Sequence, residues 1–267
     1  MRRTKTIAYG FLFTVLLASA CKKVIDVDLK NVTPQIVIEG NITDAAGAYE
    51  VKISKTVDFS ANNVFPPVTN AVVTITDSTM NRTEQLQEAD SGIYLTNKII
   101  GIPHHTYAMV VEVDGQRYTA SSTMPVRVPL DSITFAENVN FNNSLEINAV
   151  VNFQDPVGVG NYYMFTEYDN DKLIPDIFVF EDRLSDGRYI QDPLFNDSSY
   201  LQKGDTLVLT MDCIDQNIYN YFYTLMNVTG NSNFQSVTPA NPVSNISNGA
   251  LGYFSAHTTQ RAAITVY

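Results

Sequence analysis

The chain has no tryptophan, three histidines, two cysteines and only 17 basic residues against 28 acidic ones in 267. The shortage of lysine and arginine leaves a formal net charge of −11 at pH 7, which repels a phosphate backbone and argues against a nucleic-acid partner. No H-E-x-x-H zinc pair occurs, and neither a G-x-S-x-G elbow nor a phosphate-cradling glycine loop is present. The reading is therefore non-enzymatic, with no cofactor and no metal expected. His104 and His105 follow Gly101-Ile102-Pro103 in a turn and are read as solvent-facing, since a metal there needs a third ligand from elsewhere. His257 stands alone near the C-terminus. With tryptophan absent, any flat platform for a carbohydrate-like ligand falls to the 15 tyrosines and 14 phenylalanines.

Long apolar runs are also missing. The apolar stretch at residues 7–17 spans 11 residues, well short of the ~20 that a membrane-crossing helix needs. It follows Arg2, Arg3 and Lys5 and precedes Ala18-Ser19-Ala20-Cys21, so residues 1–20 read as a removable export signal. Small residues followed at once by cysteine are what lipoprotein signal peptidase reads, and Cys21 then becomes the lipidated N-terminus. Ala18 stands where leucine is usual, with Leu17 one place further back, and cleavage by ordinary signal peptidase after Ala20 is the alternative. Two cysteines in an exported chain would ordinarily pair. If Cys21 carries lipid, Cys213 is a lone thiol inside a strand and reads as a small buried residue. Loss of residues 1–20 removes three bases and no acid, taking the net charge from −11 to −14.

The mature chain reads as mainly β. Tyr49, Val51 and Ile53 alternate with Glu50, Lys52 and Ser54, the period of a half-buried strand. Further strands are expected at 35–40, 71–77, 92–95 and 106–113, with Asp114-Gly115 turning the last into 116–120, and 24–29 is a candidate edge strand. Pro125 and Pro129 break the pattern, which places a domain boundary there: anchor and tether over 21–33, a β-sandwich over 34–127, and a second β-rich, sandwich-like domain with one helix over 128–267. In the second domain, strands are expected at 131–135, 145–153, 162–168 and 206–213, a loop-rich stretch at 169–204, and a closing strand at 262–267. Ile218, Tyr221, Phe222 and Leu225 space a helix that Asp215 or Asp212 caps and Gly230 ends.

Five segments carry a resemblance: Cys21-Lys22-Lys23-Val24-Ile25-Asp26, Val37-Ile38-Glu39-Gly40-Asn41-Ile42-Thr43-Asp44, Val51-Lys52-Ile53-Ser54-Lys55-Thr56, Phe65-Pro66-Pro67-Val68 and Gly249-Ala250-Leu251-Gly252-Tyr253-Phe254. In order and spacing they resemble the Bacteroidota lipoproteins grouped as domain of unknown function 4249, over essentially the whole chain. The resemblance implies an immunoglobulin-like or carboxypeptidase-regulatory-like N-terminal sandwich, a β-rich C-terminal domain and a lipid-anchored outer-membrane address, with the membrane face left open. It also implies companionship with a TonB-dependent receptor, hence a binding or scaffold role in nutrient uptake. A structural or adhesin-like surface module, and after it a surface hydrolase built from scattered acids, are the competing readings.

Candidate contact residues are few. Tyr162 and Tyr163 are read as a surface pair for a ligand or partner, while Phe165 fills the core. Tyr219 and Tyr223 lie off the apolar stripe of the helix and are expected to be exposed. Asp169-Asn170-Asp171 with Asp176 supplies hard oxygens but lacks the glycine and terminal glutamate of a calcium loop, so a solvated turn is expected. Asp77-Ser78-Thr79, Asp131-Ser132-Ile133 and Asp205-Thr206-Leu207 are similar to the Asp-Ser/Thr-apolar acceptor of Bacteroidota O-glycosylation, with Ser78, Ser132 and Thr206 as acceptors.

Overall fold

The structure is a computed structural model that describes residues 33–58, 64–139, 145–196, 201–229 and 241–267. Residues 1–32, which hold the expected export signal, Cys21, nearly all of the tether and the candidate strand at 24–29, lie outside them, as does Gly230.

Fifteen strands are formed among the described residues. The first eight are β1 (Ile36–Thr43), β2 (Glu50–Lys55), β3 (Val72–Asp77), β4 (Arg82–Gln85), β5 (Gln87–Asp90), β6 (Ile93–Leu95), β7 (Thr106–Val113) and β8 (Gln116–Thr123). Then follow β9 (Ser132–Val139), β10 (Leu145–Gln154), β11 (Tyr162–Asp169), β12 (Lys172–Glu181), β13 (Tyr189–Pro193), β14 (Thr206–Ile214) and β15 (Leu251–Thr265). One α-helix is formed among the described residues, α1 (Gln216–Thr229), which follows β14, and a short 3-10 turn at Asp182–Leu184 follows β12.

An eight-stranded sheet, ordered β12-β11-β14-β15-β1-β2-β6-β5, runs through both halves of the chain. Its first core lies against the sheet β4-β3-β7-β8: Ile38, Ile42, Val51, Ile53, Tyr94 and Phe254 meet Val73, Ile75, Tyr107, Met109 and Val111. The second lies against β13-β10-β9, where Phe165, Leu207, Leu209 and Met211 meet Ala149, Val151 and Phe153. Both cores follow from period-two alternation, which hides every second residue of β1, β3 and β7 in the first and Tyr163, Phe165 and Glu167 along β11 in the second.

β15 joins the two. Its first seven residues pair in parallel with β1, from Val37↔Leu251 to Thr43↔His257, and the rest pair antiparallel with β14, from Cys213↔Thr258 to Thr206↔Thr265. The proline-bearing segment around 124–130 divides the two cores in sequence, except that Ile246, Ala250, Phe254 and Ala256 return to the first. That segment is pinned: Gln260 Nε2 donates to the Val128 carbonyl at 2.6 Å, and Arg127 donates to Asp44 at 2.6 Å.

Two expectations need correction. Among its described residues the stretch 169–204 is not mainly loop: it holds β12 and β13, and Asn170 and Asp171 adopt positive φ (46° and 66°) and turn β11 straight into β12. Pro175 interrupts the alternation by which β12 would be recognised. The closing strand begins at Leu251 rather than 262, since Ser255, His257 and Thr258 are polar yet buried. The helix stands where its spacing puts it: Asp215 Oδ1 accepts the Ile218 amide at 3.0 Å, and Ile218 and Phe222 bury against the sheet.

Candidate functional site

Alternation along β11 decides the fate of its two leading tyrosines. Tyr163 shares a face with Phe165 and Glu167, whereas Tyr162 and Met164 turn toward α1. Tyr163 is only 2% exposed, stands edge-on to Phe153 with centroids 4.8 Å apart, and donates its phenol proton to Asp155 Oδ1. Burial and the Asp155 carboxylate both push that phenol far above its ordinary range. The expectation that Tyr163 meets a ligand or partner is thereby corrected: it is a core residue, on the same side of the strand as Phe165.

Tyr162 behaves differently. Its ring lies 5.1 Å from Tyr219, which stacks on Tyr223 at 5.6 Å with an interplanar angle of 20°. Spaced four apart, the two helix tyrosines share a face; Tyr219 is half-buried against the helix–sheet cluster rather than exposed, and the ladder ends in solvent with Tyr223 50% exposed. Glu181 and Arg183 bear electrostatically on Tyr219.

Beside Tyr162 opens a groove of about 750 Å³, lined by Pro125, Val126, Val157, Asn161 and Gln216 among others. The loop that lines it carries two apolar tips, Val157, 88% exposed, and Val159, 71%, and the turn after β12 carries a third, Leu184, 87%. A clasp of three aspartates, Asp155 and Asp182 buried and Asp186 exposed, holds these loops. Asp182 accepts from the Gly160 and Asn161 amides at 2.9 and 3.1 Å and from Asn161 Nδ2 at 3.0 Å. Asp155 accepts the Gly187 amide at 3.0 Å, and Asp186 accepts the Gly158 amide at 2.6 Å. Asp155, Asp182 and Asp186 bring one oxygen each within 4.8 Å of one another. Backbone amides engage all three, which makes the group a loop fastener by its contacts. The aspartates come from two separated turns, so no single run of sequence marks the group. The signal that was there is the pair Pro156-Val157-Gly158-Val159-Gly160 and Ser185-Asp186-Gly187.

The remaining candidates are placed as follows. His104 is exposed in a turn, but His105 is not solvent-facing: its Nδ1 lies 2.8 Å from Asp77 Oδ2, an ion pair 16% and 6% exposed. Burial by itself pushes the Asp77 carboxyl up, yet the hydrogen bonds from His105 and from the Met80 and Thr79 amides outweigh it and hold the group below its usual value. A depressed carboxylate stabilises the fold above its unfolded pKa, and that contribution is lost as pH falls through the folded one. The urea midpoint of the wild type is thus expected to fall more between pH 7 and pH ~3 than that of Asp77→Asn. Equal falls would show that the pair contributes nothing.

His257 is buried with Ser255 Oγ 2.9 Å from Nδ1, and its Nε2 lies 4.0 Å from Asp212. The trio has the composition of a hydrolytic triad but not its geometry, and Ser255 is 1% exposed. Cys213 is a buried free thiol that accepts the Val128 amide at 3.3 Å, with burial raising its pKa. Asn170 and Asp171 form the tight turn described above. Ser78, Ser132 and Thr206 are all exposed. A second cavity of about 420 Å³, lined by Met80, Arg82, Lys98, Ile99, Ile100 and Ile102, lies in the first sandwich.

No curated protein matches the chain. The family described as domain of unknown function (DUF4249) matches residues 22–262, and the chain belongs to that family.

Proposed function

We propose that this protein is a lipid-anchored outer-membrane module that binds rather than catalyses, and that its partner is a TonB-dependent receptor served in nutrient uptake. The observation that carries this reading is the tyrosine ladder Tyr162, Tyr219 and Tyr223, whose first member lines one groove with the exposed Val157. Exposed apolar residues grouped around aromatic side chains and an arginine are the composition of protein contact sites. The clasp fixes the loops beforehand, which lowers the entropic cost of docking.

Attachment through Cys21 rests on the charged start, short apolar span and Ala18-Ser19-Ala20-Cys21 run. No helix of the described residues is long and apolar enough to cross a membrane. Ser78, Ser132 and Thr206 are proposed O-glycan acceptors.

The test is intact-mass analysis of membrane-extracted native protein, with co-purifying proteins identified, beside a Cys21→Ala control. A diacylated N-terminus at Cys21, added hexose mass and a large β-barrel in the eluate are expected. A soluble, unlipidated chain would overturn the anchor, and repeated absence of a barrel would overturn the partner. Truncating Tyr219 and Tyr223 together to alanine is expected to weaken receptor capture by roughly tenfold or more. A passive spacer would lose nothing.

A further inference from the structure

The core-facing side of β11 carries one residue that its surroundings leave unbalanced. Glu167 is 0% exposed inside the second sandwich. Asn196 Nδ2 donates to its Oε2 at 3.0 Å, while its Oε1 is buried with no hydrogen-bond partner, as is the Asn196 Oδ1. The charge that bears on Glu167 is Asp176, another acid. A buried carboxylate oxygen without a donor is among the costliest arrangements a core can hold.

The backbone builds this arrangement. Thr166 pairs with Ile177 and Tyr168 with Leu173, so Glu167 alone opposes Ile174, Pro175 and Asp176. Bulges of this kind re-aim side chains and recur next to functional sites, and Pro175 has no amide to spend on the ladder. Asn196 comes from the segment that follows β13.

We propose that Glu167, Asp176 and Asn196 hold a calcium ion inside the second sandwich. With Nδ2 committed to Oε2, the amide oxygen and Oε1 are the two atoms left over from one amide–carboxylate pair, and a single cation satisfies both. Two carboxylates and an amide oxygen form a hard, doubly negative donor set with no nitrogen or sulfur, which suits calcium's tolerance of irregular geometry better than magnesium's strict octahedron. The contrast with Asp155, Asp182 and Asp186 is direct, since there amide protons already engage the carboxylates. Bound calcium ties β11 and β12 to the chain beyond β13.

The probe is calcium chloride, added to the chelator-treated mature chain and followed by calorimetry and thermal unfolding. One site per chain is expected, with a rise in Tm of roughly 5 °C at a hundredfold excess over Kd. Glu167→Gln is expected to abolish that rise while folding normally, because it removes a buried charge. Asn196→Ala, which keeps Glu167, should weaken calcium by at least about tenfold, and Asp186→Asn should leave binding intact. Absence of a calcium-dependent shift in the wild type, or a shift that persists in Glu167→Gln, overturns the assignment.

Discussion

Replacing Gly252 with alanine is expected to destabilise the protein by about 3 kcal/mol or more. Gly252 sits at φ +92°, and a Cβ there would lie 2.0 Å from the Ile38 carbonyl oxygen. Ile38 is its partner in the parallel ladder between β1 and β15, so the clash falls on backbone that cannot swing aside. Relief requires separating the strands, and with them Phe254 and Ala256 leave the first core. The control is Gly249→Ala. Gly249 also has positive φ, +72°, but nothing lies within 4 Å of a Cβ there, so only conformational strain of about 1 kcal/mol is at stake. Urea unfolding followed by circular dichroism compares the two. If both variants lose the same stability, backbone crowding at β15 is not what makes glycine necessary.

That ladder also marks where a sequence reading reaches its limit. β2, β7 and the Asp114-Gly115 turn were legible because local chemistry decides them: alternation sets one face, and the turn takes φ of 51° and 71°. The helix was legible for the same reason, with Asp215 at its start and a stripe from Ile218 to Leu225. β15 was legible only in part, because a strand at the centre of a sheet, buried on both faces, can carry Ser255, His257 and Thr258 without alternation. The pairing of β15 with β1 joins residues more than two hundred apart and leaves no local mark. Tyr163 shows a different failure. Strand parity puts Tyr163 on the same side as Phe165, in the core, and Tyr162 on the other, so two adjacent tyrosines in a strand cannot share a surface. The burial of His105 leaves no local mark, because the carboxylate that holds it, Asp77, lies 28 residues away. Of the candidate site, Tyr162, Tyr219 and Tyr223 were within reach from strand and helix periods, whereas the loops that flank them depend on aspartates whose partners lie on another turn.

Those aspartates carry the second large effect. Asp182→Ala is expected to lower stability by about 3 kcal/mol and to reduce receptor capture, although Asp182 is 2% exposed and cannot touch a partner. Its carboxylate takes three donors from Gly160 and Asn161, so the loop bearing Val157 and Val159 loses most of its fastening and is left with the bond from the Gly158 amide to the exposed Asp186. Asp182→Asn keeps acceptor capacity for part of that set and should fall between wild type and alanine. Hydrogen exchange separates this route from a direct contact: the Gly160 and Asn161 amides should exchange faster in Asp182→Ala but at the wild-type rate in the Tyr219/Tyr223 variant. Unchanged exchange in Asp182→Ala would remove the clasp from the account, whereas faster exchange with undiminished capture would show that the apolar tips are fixed for some purpose other than docking. Loss of both together places the origin of the binding surface in buried carboxylates, which hold two exposed loops in the one arrangement that a rigid partner can meet.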